Sequence, residues 1–173
     1  RLLFSATLDN GVNKLVQRFL HNEVMHAVDE AHSPVSQMTH HVFETSSVEA
    51  KKDLLYKLAS GKGRRILFMR TKHHAKKLAK ALTAAGIPAV DLHGNLSQPA
   101  RDRNLAAFSE GSVNVLVATD VAARGIDIPA VRYVYNYELP NVADNYVHRI
   151  GRTARAGRDG SAVAYCSPEE IGE

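Results

Sequence analysis

The chain has 173 residues, with 22 Lys+Arg against 18 Asp+Glu, a formal charge of +4 and an isoelectric point near 9.3. That length fits one ordinary domain with little to spare, and 45% hydrophobic with 23% charged residues is the composition of a packed domain, which excludes disorder. No apolar run approaches the ~20 residues that a bilayer span needs, the basic balance permits an anionic partner such as nucleic acid, and zero Trp with 6% aromatic residues argues against recognition by base stacking.

The first elements in chain order look like the end of something else. Arg1–Ser5 reads as a strand fragment without the features of a secretory signal, and Asp9–Leu20 as a helix with Asp9 at its N-cap. Asp29-Glu30-Ala31-His32-Ser33-Pro34 has turn and breaker chemistry and reads as a linker. A lone strand and helix cannot bury a core, so residues 1–35 are assigned to the end of a preceding domain plus linker, and 36–173 to the domain proper. From there strands and helices alternate. Strands are expected at Thr39–Thr45, Arg65–Arg70, Ala89–Leu92, Val113–Thr119, Val131–Tyr135 and Ser161–Cys166. Helices are expected at Val48–Ser60, Lys72–Ala85, Gln98–Glu110 and Ala143–Gly151. In the second helix Ala75, Leu78, Ala79 and Leu82 share one face and Lys72, Lys76, Lys77 and Lys80 the other, with Gly86 and Pro88 ending it. Helices of this length between strands imply right-handed crossovers, hence an α/β fold, a mainly parallel sheet with helices on both faces. The lone Cys166 excludes an internal disulfide or a cysteine zinc cluster and suits a reducing cytoplasm.

Three segments carry chemistry. In Tyr146–Arg158, Arg149, Arg152, Arg155 and Arg158 fall within ten residues among small side chains. On a helix His148, Arg152 and Arg155 would share a face, although Gly151 and Gly157 threaten to end it early, and converging guanidinium forks match phosphate oxygens. Val117–Pro129 begins at the carboxyl end of a strand, where ligands collect. There Gly125 allows close backbone approach and Asp127 is placed to accept from ribose hydroxyls. Asp120 is equally readable as a helix N-cap paired with Arg124. His93–Arg101 is again a strand end and helix start, with Ser97 as cap, Pro99 in the first turn and Arg101 one turn in, an arrangement suited to a backbone phosphate.

These segments in this order resemble the second RecA-like domain of DEAD-box RNA helicases. Arg1-Leu2-Leu3-Phe4-Ser5-Ala6-Thr7 resembles the Ser-Ala-Thr motif closing the first domain, Ile66–Lys72 the fourth motif, His93–Arg101 the glycine/Gln-x-x-Arg element, Thr119–Pro129 the fifth motif, and Asp144–Arg155 the sixth with its lead-in. The resemblance implies that Arg152 and Arg155 contact the ATP γ-phosphate, Arg155 as arginine finger, and that Asp127 holds the ribose. It implies RNA-backbone contacts from Thr71, Gly94, Arg101, Thr119 and Gly125, and coupling of the two domains by His148 near Ser5 and Thr7. Mg²⁺ and the phosphate-cradling loop would come mainly from the absent first domain, so the chain alone is expected to be inactive as an ATPase while the longer protein is an RNA-dependent ATPase and helicase. Two positions depart from the family: Arg70 stands where Asn is usual, and Ala154 where Gly is common.

Other candidates carry less. Asp29–His32 spells an acidic box, but it follows the Ser-Ala-Thr motif instead of preceding it and reads as coincidence. Gly61-Lys62-Gly63-Arg64 lacks phosphate-loop spacing. His40-His41 and His73-His74 lack partners at metal-ligand spacing, and Cys166 has no evident base. The rival readings are a non-hydrolysing RNA-binding or annealing module, a DNA-directed helicase of the same superfamily, and an α/β nucleotide-binding transferase, which would leave the arginines unexplained.

Overall fold

The computed structural model describes residues 14, 17–18, 38–124, 126, 128–129, 131–154 and 159–167. The chain divides into two compact units, Arg1–Ser33 and Pro34–Glu173. In the first, residues 14 and 17–18 are helical, within the helix expected there; the rest of that unit and the linker lie outside the described residues.

The second unit alternates β1 (Met38–Glu44), α1 (Val48–Ala59), β2 (Arg65–Met69), α2 (Lys72–Ala84), β3 (Ala89–Leu92), α3 (Gln98–Glu110), β4 (Val115–Thr119), α4 (Asp120–Ala123), β5 (Tyr133–Asn136), α5 (Ala143–Ile150) and β6 (Gly160–Cys166). The six strands form one sheet in the order β1-β6-β5-β2-β4-β3, every pairing parallel. Parallel strands need crossovers, and the helices that supply them cover both faces. β2 and β4 are buried at every residue. Their alternation sends Leu67, Met69, Val115 and Val117 to the face packed by Leu55 of α1 and Leu78 and Leu82 of α2, and Ile66, Phe68, Leu116 and Ala118 to the face packed by Phe108 of α3 and Ala122 of α4. This is the RecA-like arrangement, with the carboxyl ends of all strands on one rim.

The caps follow from sequence. Ser47, Thr71 and Ser97 each accept a hydrogen bond from the N–H three residues on, and Gly86 takes φ +82° after α2. Several bounds shift by a residue or two; the strand expected from Val113 begins at Val115. The strand expected at Val131–Tyr135 runs Tyr133–Asn136, because Val131 leaves the sheet for a parallel bridge to Thr153. The helix expected to Gly151 stops at Ile150. The bridge fixes another choice: a methyl on Gly160 would overlap Thr153 Oγ1 and the Ala154 nitrogen, so only glycine starts β6.

Tyr135, Tyr137 and Tyr165 pack in edge-to-face pairs at 6.3 and 5.5 Å between ring centroids. The Tyr165 hydroxyl is buried without a hydrogen-bond partner among the described residues, and burial pushes its pKa far above the ordinary range. Removing an unsatisfied buried hydroxyl relieves a desolvation cost, so Tyr165→Phe is expected to raise unfolding free energy by about 1 kcal/mol in urea denaturation; a clear loss would mean that the hydroxyl is held.

Candidate nucleic-acid and nucleotide interface

Three strand-to-helix turns reach the same rim. At the β2–α2 turn Thr71 Oγ1 accepts from the His74 N–H at 3.2 Å, which leaves its own hydroxyl proton to donate outward. Glu138, just beyond β5, fixes this turn from behind: its carboxylate accepts from the Arg70 N–H at 2.6 Å and from His74 Nδ1 at 2.6 Å. The Arg70 departure is thus accommodated, since that position works through its main chain while the guanidinium reaches Asn141 Oδ1 at 3.4 Å.

At the β3–α3 turn buried His93 accepts the Asn95 N–H on Nδ1 at 3.3 Å and donates Nε2–H to Asp91 at 3.0 Å. Asn95 in turn accepts from Lys72 Nζ at 3.1 Å, joining this turn to the first. Gly94 is exposed, and a Cβ built on it meets nothing within 4 Å. Internal packing therefore does not demand glycine there. Arg101 is half-buried, and its guanidinium makes no hydrogen bond or ion pair with the described residues. At the β4–α4 turn Thr119 ends β4, 7% exposed, and stands at the N-cap of α4 without a side-chain cap bond.

Behind these turns lies a buried arginine. Arg149, 1% exposed, donates Nε–H and Nη2–H to Asp120 at 2.6 and 2.8 Å, and Nη1–H to Asn136 Oδ1 at 3.1 Å and to the Glu138 carbonyl at 2.6 Å. Asp120 is therefore neither an N-cap nor the partner of Arg124. It is the first residue of α4 and the counter-ion of Arg149, while Arg124 donates to Asn145 Oδ1.

The expected shared face of His148 and Arg152 is absent, because α5 ends before Arg152 is reached. His148 lies exposed on α5. Arg152 sits in the following turn and donates to the carbonyls of Ile126 and Ala123 at 3.1 and 2.7 Å, clasping the segment after α4. Ala154 adopts φ +53°, the one non-glycine residue in the left-handed region among those described, which explains in physical terms why glycine suits the position. Arg155, Asp127, Gly125, Ser5 and Thr7 lie outside the described residues.

The profile of the family described as helicase conserved C-terminal domain matches residues 48–157. The chain belongs to that family, in its DEAD-box branch. It is 40% identical over 174 residues to the DEAD-box ATP-dependent RNA helicase CshA of Geobacillus kaustophilus, covering 99% of this chain and 37% of that protein. It is also 40% identical to the ATP-dependent rRNA helicase RRP3 of Scheffersomyces stipitis, covering 98% and 35%. The chain thus spans about a third of the length of these curated relatives. Among solved structures, Escherichia coli SrmB bound to the ribonuclease regulator RraA superposes with TM-score 0.68 at 44% identity, over 76% of each chain. Saccharomyces cerevisiae Dbp5 bound to RNA and ADP–BeF₃ superposes with TM-score 0.80 at 35% identity, over 95% of this chain and 44% of that one.

In this helicase domain sequence reasoning overlooked the joints: Glu138, Asn95 and the pairing of Asp120 with Arg149. Asn136-Tyr137-Glu138, an amide and an acid closing an apolar strand, was the available signal. Removing one partner of a buried ion pair strands the other, so Arg149→Ala is expected to lower unfolding free energy by about 3–5 kcal/mol in urea denaturation. Ala154→Gly is expected to raise it by about 1 kcal/mol, the relief of left-handed strain less the added freedom of the unfolded chain.

Proposed function

We propose that this domain is the second half of an RNA-dependent ATPase that separates RNA strands locally. RNA lies on the rim where β2, β3 and β4 end. Thr71 and Thr119 donate hydroxyls to phosphate oxygens, Arg101 supplies a charged fork, and the main chain at Gly94 and Gly125 approaches the backbone closely. The observation that carries this reading is Gly94: it is exposed and faces open space, in the turn that leads into the helix of half-buried Arg101, an arginine without a protein partner among the described residues. The likeness to Dbp5, whose structure holds RNA and ADP–BeF₃, supports it.

ATP would be shared between this domain and a first one. The guanidinium of Arg152 has the donor chemistry for a polyphosphate, with Arg155 as the finger onto the γ-phosphate, Asp127 toward the ribose and His148 coupling to Ser5 and Thr7. The Ala123 and Ile126 carbonyls that now occupy Arg152 keep its guanidinium ordered until phosphate oxygens replace them. No group of three His, Cys, Asp or Glu suited to a metal ion occurs among the described residues. We assign Mg²⁺, which would neutralise phosphate charge, and the phosphate-cradling loop to the first domain. Cys166, buried at the end of β6, suits a reducing compartment, and we place the protein in the cytoplasm.

The chain alone is expected to turn over no ATP. Joined to its first domain it should hydrolyse ATP on adding RNA and not on adding DNA of the same sequence, and Arg155→Ala should cut kcat by about 1,000-fold or more. Turnover by the isolated chain that survives Arg155→Ala would sink this division of labour, and equal stimulation by DNA would favour a DNA-directed enzyme. Gly94→Ala should leave the thermal midpoint unchanged while weakening RNA binding about 10-fold in fluorescence anisotropy; unchanged binding would remove the main-chain contact from the reading.

A further inference from the structure

A groove of about 550 Å³ runs between α2 and α3, over β3 at the edge of the sheet. Alanines and Leu96 line it together with Lys76 and Lys80 from α2 and Arg103 from α3. These three cations are exposed and make no hydrogen bond or ion pair with the described residues. The one carboxylate in the groove is already committed, since Asp91 accepts from His93 Nε2 and from Asn104 Nδ2 at 3.0 and 3.2 Å. The field in the groove is therefore net positive. α2 contains four lysines, two histidines and no acid, whereas a face kept only for solubility mixes both signs.

The edge of β3, over which the groove runs, is a poor template for an added strand. The outward-facing main chain of β3 is occupied by side chains: Thr83 Oγ1 accepts the Ala89 N–H and donates to the Ala89 carbonyl, both at 3.2 Å, and Asn104 Nδ2 donates to the Asp91 carbonyl at 2.9 Å. Its occupant must be held from the rim. Its lining includes Leu96 and Ala100, which belong to the same β3–α3 turn and first turn of α3 as Gly94 and Arg101. Lys72, bound to Asn95 in the same turn, begins the row Lys72–Lys76–Lys80, four residues apart and ~12 Å long on one face of the helix. The row starts where the rim contacts lie and leads away from them.

We propose that this groove carries the RNA strand onward from Arg101, its phosphates held by Lys76 and Lys80 on one wall and Arg103 on the other. This rests on reading Thr71, Gly94 and Arg101 as RNA contacts. With no aromatic side chain lining it, the track offers no stacking platform and reads no sequence; it adds affinity for strands long enough to enter it.

The test uses the chain and fluorescein-labelled oligouridines of about 6 and about 14 nucleotides, titrated by anisotropy at several salt concentrations. Lys76→Gln with Lys80→Gln should weaken the long probe about 10-fold and lower the slope of log K against log salt by about 1.4, leaving the short probe unchanged. Arg103→Gln, on the opposite wall, should repeat the length-selective loss with about half the change in slope. Equal losses on both probes, or none, would overturn the track. So would binding of a polyglutamate peptide that the double lysine variant abolishes while both RNA probes keep their affinity, which would assign the groove to an acidic protein. Arg101→Ala with undiminished short-probe binding would instead overturn the rim contacts, an outcome separable from the length effect.

Discussion

One buried guanidinium holds the working rim together. Arg149 has left water almost completely, and a charge so placed is tolerable only when it is paired and hydrogen-bonded. Asp120, Asn136 and the Glu138 carbonyl match it, and its flat face lies 5.1 Å from the centroid of Phe68. Phe68 is in β2, Asp120 follows β4, Asn136 closes β5 and Arg149 is on α5, so the ends of three strands and a helix are set by one side chain. Thr119 is adjacent to Asp120, and Glu138 goes on to fix Arg70 and His74 around Thr71. The turns that carry Thr71 and Thr119 thus inherit their positions from an interaction between protein groups alone.

Charge here is organised by place and not by amount. α1 and α5 obey the helix dipole, with an acid in the first turn and a base in the last. α2 and α3 have no acid in the first turn, and α2 opens on Lys72, His73 and His74. Positive side chains at a positive helix end cost stability. A phosphate at that end would remove the cost, so an unfavourable feature of the free domain would become favourable in the proposed complex. The net charge of +4 averages this away.

Most of the fold could be read from the chain because its signals are local. The β-branched runs, the apolar faces of the helices and the caps Ser47, Thr71 and Ser97 specify their own segments, and the motif order specified the family. Long-range pairing was the part that could not be read. Val131 looked like strand, yet Thr153, far along the chain, draws it into a separate bridge. Asp120 had a plausible partner four residues on, yet took one on α5, the buried Arg149, whose charge needs a counter-ion more than exposed Arg124 does. Glu138 carried no motif, and its role appears only when β5 lies beside β2. Arg152 was read for its charge, but its place was decided by where α5 stops.

The occupied edge of β3 bears on how such a domain survives in a crowded solution. An open sheet presents its last strand as a template on which another chain can continue the ladder, and that is how many α/β domains begin to aggregate. Thr83 takes the Ala89 N–H and carbonyl, and Asn104 the Asp91 carbonyl, from within the same chain. A hydroxyl and an amide, neither charged nor large, thus act as a permanent stop at the sheet's end, active as soon as α2 and α3 have docked and independent of any ligand.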